Sequence, residues 1–202
     1  MRCLVILSGG LDSTTVLHKL IADGHTVGAI SFDYGQKHRK ELEYAKMWTD
    51  ELGVPHEIVT LENVFAGSAL TWDAEMPMEE YSVETMKVTV VPNRNMVMLA
   101  VAISKAIQGG YDAVAYGAHA SDRDVYPDCR HEFVDAMRNA ARLCDWKQVD
   151  VVAPLLDMSK REVIELAKSL GFDYKRTWSC YEGGDEPCGQ CGACRSRMED
   201  EG

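Results

Sequence analysis

Short apolar runs alternate along the chain with stretches whose apolar residues recur every three or four positions. These are the two periods of a buried strand and of a helix with one inward face. Arg2 to Leu7 is the first run and reads as a buried strand. From Ser13 to Asp23, Val16, Leu17, Leu20 and Ile21 share one helical face, and Gly24 is a fitting stop. Thr26 to Phe32 reads as a second strand, Lys37 to Leu52 as a second helix closed by Gly53, and His56 to Thr60 as a third strand. After an irregular stretch over 61–91, an apolar helix runs from about Met96 to Ile107 and ends at Gly109 and Gly110. Ala113 to Tyr116 is a fourth strand, Gly117 to Arg130 a polar loop, His131 to Arg142 a helix, and Val149 to Ala153 a fifth strand. Ser159-Lys160-Arg161-Glu162 is a capping box that opens a last periodic helix, with Val163, Ile164, Ala167 and Leu170 inward. From Trp178 onward no periodicity is visible.

The alternation predicts an α/β fold: a doubly wound, mostly parallel five-stranded sheet with right-handed crossovers. Ligands of such sheets sit at the carboxyl ends of the strands, where the loops after the first two strands meet. The chain of 202 residues fits one body, with 1–177 as the α/β domain and 178–202 as a cysteine-rich segment packed on it. The stretch 61–91, with Trp72, Met76, Met78 and Met86, is long enough to read as a functional loop or lid.

Composition narrows the class. No run reaches the ~18 apolar residues of a membrane span. The first residues lead straight into a strand, without the basic region and cleavage site of a signal peptide, so a cytoplasmic protein is expected. The net charge is −11. Clamping nucleic-acid phosphates calls for a basic face, so a small-molecule substrate fits better and direct nucleic-acid binding is not expected.

Candidate chemistry begins where the first strand ends, at Ser8-Gly9-Gly10-Leu11-Asp12-Ser13. Paired glycines permit a tight turn and close approach to a ligand. The helix that follows offers unpaired N–H groups and a favourable dipole to an anion. Ser8 and Ser13 add hydroxyls, and Asp12 suits a metal ion or an amide. This reads as a phosphate cradle for a nucleotide; it is not the Walker loop, because no Gly-Lys-Ser/Thr follows. At the other end, Cys180, Cys188, Cys191 and Cys194 supply four thiols within fifteen residues. That spacing fits a structural tetrahedral zinc, with an iron–sulfur cluster or a redox pair as alternatives.

The loop resembles the pyrophosphatase loop of the adenylating ATP-pyrophosphatase superfamily, whose sheet is adenine nucleotide alpha hydrolase-like. Further segments sharpen the likeness: Asp33-Tyr34-Gly35-Gln36-Lys37-His38, Val91-Pro92-Asn93-Arg94-Asn95, Tyr126-Pro127-Asp128-Cys129-Arg130 and Thr177-Trp178-Ser179-Cys180-Tyr181. In this order they resemble the 7-cyano-7-deazaguanine synthase family over positions 4 to 197. The chain ends eight residues after Cys194, where family members commonly continue into an aromatic-containing tail.

The resemblance implies that 7-carboxy-7-deazaguanine, ATP and ammonia give the nitrile through an acyl adenylate and an amide. It implies ATP and Mg²⁺, one structural Zn²⁺ per chain, and a homodimer. Ser8, Gly9, Gly10, Leu11, Asp12, Ser13, Asp33 and Lys160 would hold the nucleotide. Asp12, Ser13, Lys160 and Arg94 would act in catalysis. Arg94, Asn95, Asp122, Tyr126, Asp128 and Arg130 would meet the substrate, a carboxylate taking the N–H groups of the guanine-like ring. His38 is a candidate for nucleotide binding or proton transfer. Rival readings are a homologue that stops at the amide, an ATP-pyrophosphatase acting on tRNA, and a non-catalytic nucleotide-binding zinc module.

Overall fold

A computed structural model describes residues 1–36, 39–65, 68–71, 89–182 and 184–201. His38, Trp72, Met76, Met78 and Met86, and with them most of the expected lid, lie outside the described residues. Five strands form one parallel sheet: β1 (Arg2–Ile6), β2 (Thr26–Asp33), β3 (His56–Thr60), β4 (Ala113–Ala115) and β5 (Asp150–Val152), in the order β3-β2-β1-β4-β5. The helices are α1 (Leu11–Ala22), α2 (Lys40–Leu52), α3 (Arg94–Gly109), α4 (His131–Ala141), α5 (Lys160–Ser169) and α6 (Gly192–Glu201).

The side chains of the inner strands divide between two cores. Cys3, Val5 and Leu7 face a layer with Val16, Leu17 and Leu20 of α1, Trp48 of α2, and Val163 and Ile164 of α5. Leu4 faces the opposite layer with Leu99, Ala102 and Ile103 of α3 and Val134 and Met137 of α4. β2 and β4 alternate in the same way: Val27, Ala29, Ala113 and Ala115 lie on one side, Ile30, Phe32 and Val114 on the other. A strand covered on both faces buries its middle, so β1 reads as an apolar run from Cys3 to Ile6, with Arg2 exposed at its start.

Two boundaries differ from expectation in ways that matter. α3 starts at Arg94, two residues earlier than its apolar pattern suggests. Asn93 holds a left-handed conformation (φ 60°) in front of it, so Arg94 and Asn95 fall in the first turn, at the sheet's carboxyl edge. The segment after Trp178, without apolar periodicity, still contains α6. Cys191 and Cys194 at its start join Trp178, Cys180 and Tyr44 of α2 in a third small core.

The turn after β1 is seated by backbone contacts. Gly9 has φ +83°, and a Cβ there would lie 2.1 Å from the Glu41 carbonyl oxygen and 2.7 Å from the Ala45 nitrogen. Its carbonyl accepts a hydrogen bond from the Trp178 N–H at 3.0 Å. Gly9 therefore serves the packing of the loop on α2, and it is absent from the wall of the cavity described below. Gly53 also has a positive φ, but open space where its Cβ would stand. Gly53→Ala is expected to cost about 1 kcal/mol, the left-handed penalty alone. Gly9→Ala should cost more, about 3 kcal/mol or above, because backbone atoms must also part. Urea unfolding of both variants checks the order, and equal losses would refute the seating role.

Candidate functional site

The loop is pre-formed by its own hydroxyls. Ser13 Oγ accepts from the Ser8 N–H (3.1 Å), lies 3.0 Å from Ser8 Oγ and donates to the Gly10 carbonyl (3.3 Å). Gly10 N–H donates to Ser8 Oγ. Leu11 sends its side chain into the core. Beside the loop lies a cavity of about 530 Å³, open at the carboxyl edge of the sheet. Ser8, Gly10, Leu11, Asp12 and Ser13 form part of its wall.

On the β4 side the wall is charged. The capping box opens α5 as expected, with Ser159 Oγ accepting from Glu162 N–H and the Glu162 carboxylate accepting from Ser159 N–H. This sets Lys160 in the first turn, where its Nζ reaches Asp12 Oδ1 at 2.6 Å. His119, buried after β4, places Nε2 3.2 Å from Asp122 Oδ2 and 3.7 Å from Asp12 Oδ1. Burial pushes the Asp12 carboxyl up, but Lys160 and His119 outweigh it and hold the group below its ordinary value. Burial pushes the Asp122 carboxyl up, and the nearby Asp12 charge adds to this. So Asp12 is the firmly ionised member of the pair.

The β2 side is aromatic with one charged couple. Arg94 Nη1 donates to the Tyr34 hydroxyl at 3.3 Å, and burial and the Arg94 cation act in opposite directions on that phenol, burial prevailing. Gln36 Nε2 donates to the Phe32 carbonyl (3.2 Å) and to Glu41 Oε1 (3.1 Å), while its Oε1 accepts from Tyr34 N–H (2.8 Å). Burial raises the Glu41 carboxyl to about 7 against the pull of Arg94 and Gln36. Trp178, Ser179, Tyr181 and Arg197 of the cysteine segment close the remaining wall.

The expected residues thus divide. Asn95, Arg94, Asp122, Tyr126 and Lys160 line the cavity with the loop. Asp33 instead pairs with Arg39 at 3.3 Å, and Arg130 is exposed, its Nε bonded to the Arg123 carbonyl. Asp128 stands behind the wall, its backbone carbonyl accepting from the Tyr116 hydroxyl. Glu41 and His119 were not singled out from the sequence, and Tyr34 and Trp178 stood there only within the quoted segments, without a role. Glu41 had a signal: with Ala45, Trp48 and Leu52 it shares one helical face, where a carboxylate is out of place.

The four cysteine sulfurs all lie within 4.8 Å of one another. Tetrahedral zinc with Zn–S bonds of about 2.3 Å needs sulfurs roughly 3.8 Å apart, which this cluster fits. Backbone N–H groups point at the sulfurs: Cys188 and Glu182 at Cys180 Sγ (3.3 and 3.4 Å), Cys191 and Gln190 at Cys188 Sγ (3.3 and 3.4 Å). Such donors stabilise thiolate, the form a metal binds. Burial opposes ionisation of Cys188, yet the Gln190 and Cys191 N–H groups bring it down to about 7.

A parallel sheet in this strand order with a phosphate-type loop after β1 defines an adenine nucleotide alpha hydrolase-like protein, with a cysteine cluster able to hold a metal ion. Solved structures agree on the fold. NMN synthetase from Francisella tularensis superposes with TM-score 0.57 at 15% identity, over 91% of this chain and 68% of its own. The U34-tRNA thiolase NcsA from Methanococcus maripaludis, solved with its [4Fe-4S] cluster, gives 0.53 at 19% identity, over 100% of this chain and 65% of its own. The family model of the queuosine biosynthesis protein QueC matches residues 2–200. A 7-cyano-7-deazaguanine synthase from Caldicellulosiruptor saccharolyticus is 49% identical over 202 residues, 98% of this chain and 90% of that protein. The chain belongs to the QueC family of queuosine-biosynthesis enzymes, as the sequence motifs imply.

Two outcomes are expected. Native Glu41 binds its proton more tightly than the unfolded chain does. Its stabilising contribution is fully present below pH 4.5 and is lost as pH rises through about 7. The melting temperature of wild type minus that of Glu41→Gln should therefore fall across that window, and a flat difference would refute the raised carboxyl. Cys191→Ala should release the metal and lower stability by several kcal/mol; metal analysis and melting check this.

Proposed function

We propose that this chain converts 7-carboxy-7-deazaguanine, ammonia and ATP into 7-cyano-7-deazaguanine through an acyl adenylate and an amide. The observation that carries the reading is one cavity in which a pre-formed anion cradle, a lysine and an arginine face aromatic walls. A carboxylate is a poor acyl donor, and adenylation converts its oxygen into a good leaving group. The substrate carboxylate attacks the α-phosphorus and pyrophosphate departs; ammonia then displaces AMP and leaves the amide. A second adenylation, on the amide oxygen, precedes loss of AMP and formation of the nitrile.

The roles follow from position. Ser8, Gly10, Ser13 and the first N–H groups of α1 receive the pyrophosphate moiety. Lys160, whose ammonium has three donors and spends one on Asp12, turns the others to phosphate oxygen once the nucleotide is bound. Arg94, Asn95, Asp122 and Tyr126 meet the deazaguanine carboxylate and ring. Asp12, ionised and in the wall, fits a Mg²⁺ ion that would screen phosphate charge. Catalysis here is positioning plus electrostatic support of phosphate charge. The cysteine cluster takes structural zinc in this reading, one ion per chain. Four protein sulfurs leave no open position for a substrate. ATP as co-substrate supports a cytoplasmic site of action, and family resemblance supports a homodimer. The two units, 1–177 and 178–202, act as one, since the second supplies Trp178 and Tyr181 to the wall.

Incubation with 7-carboxy-7-deazaguanine, ATP and ammonium tests the reading. The expected result is two AMP per product and the nitrile mass. One AMP and the amide mass would establish the amide-forming alternative, and no AMP would refute adenylation. Ser13→Ala and Lys160→Met should each lower kcat by about 10²–10³ with the fold intact.

A further inference from the structure

The function proposed above leaves open which group reads the guanine-like edge of the substrate. That edge presents a ring carbonyl that accepts, then a ring N–H and an exocyclic amine that donate. Its complement is a hydrogen-bond donor beside a carboxylate.

Three carboxylates line the cavity among the described residues: Asp12, Asp122 and Glu41. Asp12 is bound by Lys160 at 2.6 Å. Asp122 is engaged by His119 at 3.2 Å, next to Asp12 and the loop. Both belong to the β4 side, beside the loop and already engaged by a lysine and a histidine. Glu41 lies on the opposite flank, in the crossover after β2, with β1 and its loop between them. Among the described residues its carboxylate receives one hydrogen bond, from Gln36. The remaining acceptor capacity faces the cavity and a recess of about 90 Å³ that opens off it. Tyr34, Trp178 and Tyr181 wall that recess, offering flat apolar faces to a flat ring. Tyr34 accepts from Arg94 at its hydroxyl oxygen, which leaves its own O–H free to donate.

From this arrangement we propose that Glu41 is the specificity-determining carboxylate, accepting the ring N–H and exocyclic amine while the Tyr34 hydroxyl donates to the ring carbonyl. The inference rests on the deazaguanine reading of the site. The substrate's carboxyl and its amine edge lie toward opposite ends of the fused ring. With the carboxyl at the loop, the amine edge reaches the β2 flank. Gln36 is a positioning residue: its two donors and one acceptor, tied to Phe32, Glu41 and Tyr34, hold carboxylate and phenol on a common frame. The burial that raises the Glu41 carboxyl also strengthens any N–H bond it accepts.

The test compares 7-carboxy-7-deazaguanine with 7-carboxy-7-deazahypoxanthine, which lacks the exocyclic amine. Calorimetric binding and kcat/KM are measured on the metal-loaded full chain. Wild type is expected to prefer the amine-bearing ring by about a hundredfold or more. Glu41→Gln, equal in shape, should reduce that preference to a few-fold, weakening the analogue, which keeps only the ring N–H, far less than the amine-bearing ring, and Glu41→Asp should restore part of it. Asp122→Asn should keep the preference while lowering turnover. A preference intact in Glu41→Gln, or abolished by Asp122→Asn instead, overturns the assignment while the reaction stands. A wild type that neither binds nor turns over 7-carboxy-7-deazaguanine overturns the function reading and this inference together.

Discussion

The site depends on one close backbone approach. At Gly9 the turn after β1 presses on the first turn of α2 so tightly that a methyl group would overlap the Glu41 carbonyl. The same residue receives the Trp178 N–H from the cysteine segment. Three distant parts of the chain thereby share one residue. The loop is held in one conformation, Glu41 is carried into the cavity wall, and the cysteine segment is docked against both. Backbone contacts of this kind set distances that side chains, with their rotamer freedom, would leave loose.

Charge in the cavity is arranged in two groups. On the β4 side Lys160, Asp12, His119 and Asp122 form one network of two carboxylates, a lysine and a histidine. On the β2 side Arg94 and Glu41 stand among Tyr34, Trp178 and Tyr181 with fewer competing partners. The two groups are separated by β1, the central strand of the sheet.

The cysteine segment joins stability to the site. Its sulfurs lie close enough for one ion, and its neighbours Trp178, Ser179, Tyr181 and Arg197 are cavity residues. Arg197 on α6 donates to the Thr177 and Tyr174 carbonyls at 3.0 and 2.9 Å, bracing the chain just before Trp178. A metal ion held there would contribute folding free energy, and the wall of the cavity is built on the same segment.

The strands, most helices, the anion loop and the four-cysteine cluster were legible in the sequence because each is a local signal. A strand buried on both faces needs a continuous apolar run, a tight turn needs glycine, and a tetrahedral metal needs closely spaced sulfurs. α6 was not legible, because Cys191 and Cys194 hold it to the body and it needs no apolar stripe. The early start of α3 was hidden as well, since a left-handed Asn93 leaves no mark in hydrophobic periodicity. Motifs named Asp122, Asp128 and Arg130 together, but the short 3₁₀ turns at Ala120–Asp122 and Pro127–Cys129 send only the first into the cavity. By itself the sequence determined the parallel sheet, the tight glycine turn after β1 and the family. Only the tertiary structure decided which side chains meet: Lys160 reaches Asp12 across 148 residues, and Glu41 comes under Gly9. Those meetings depend on crossover packing and helix phase, which residue order alone leaves free.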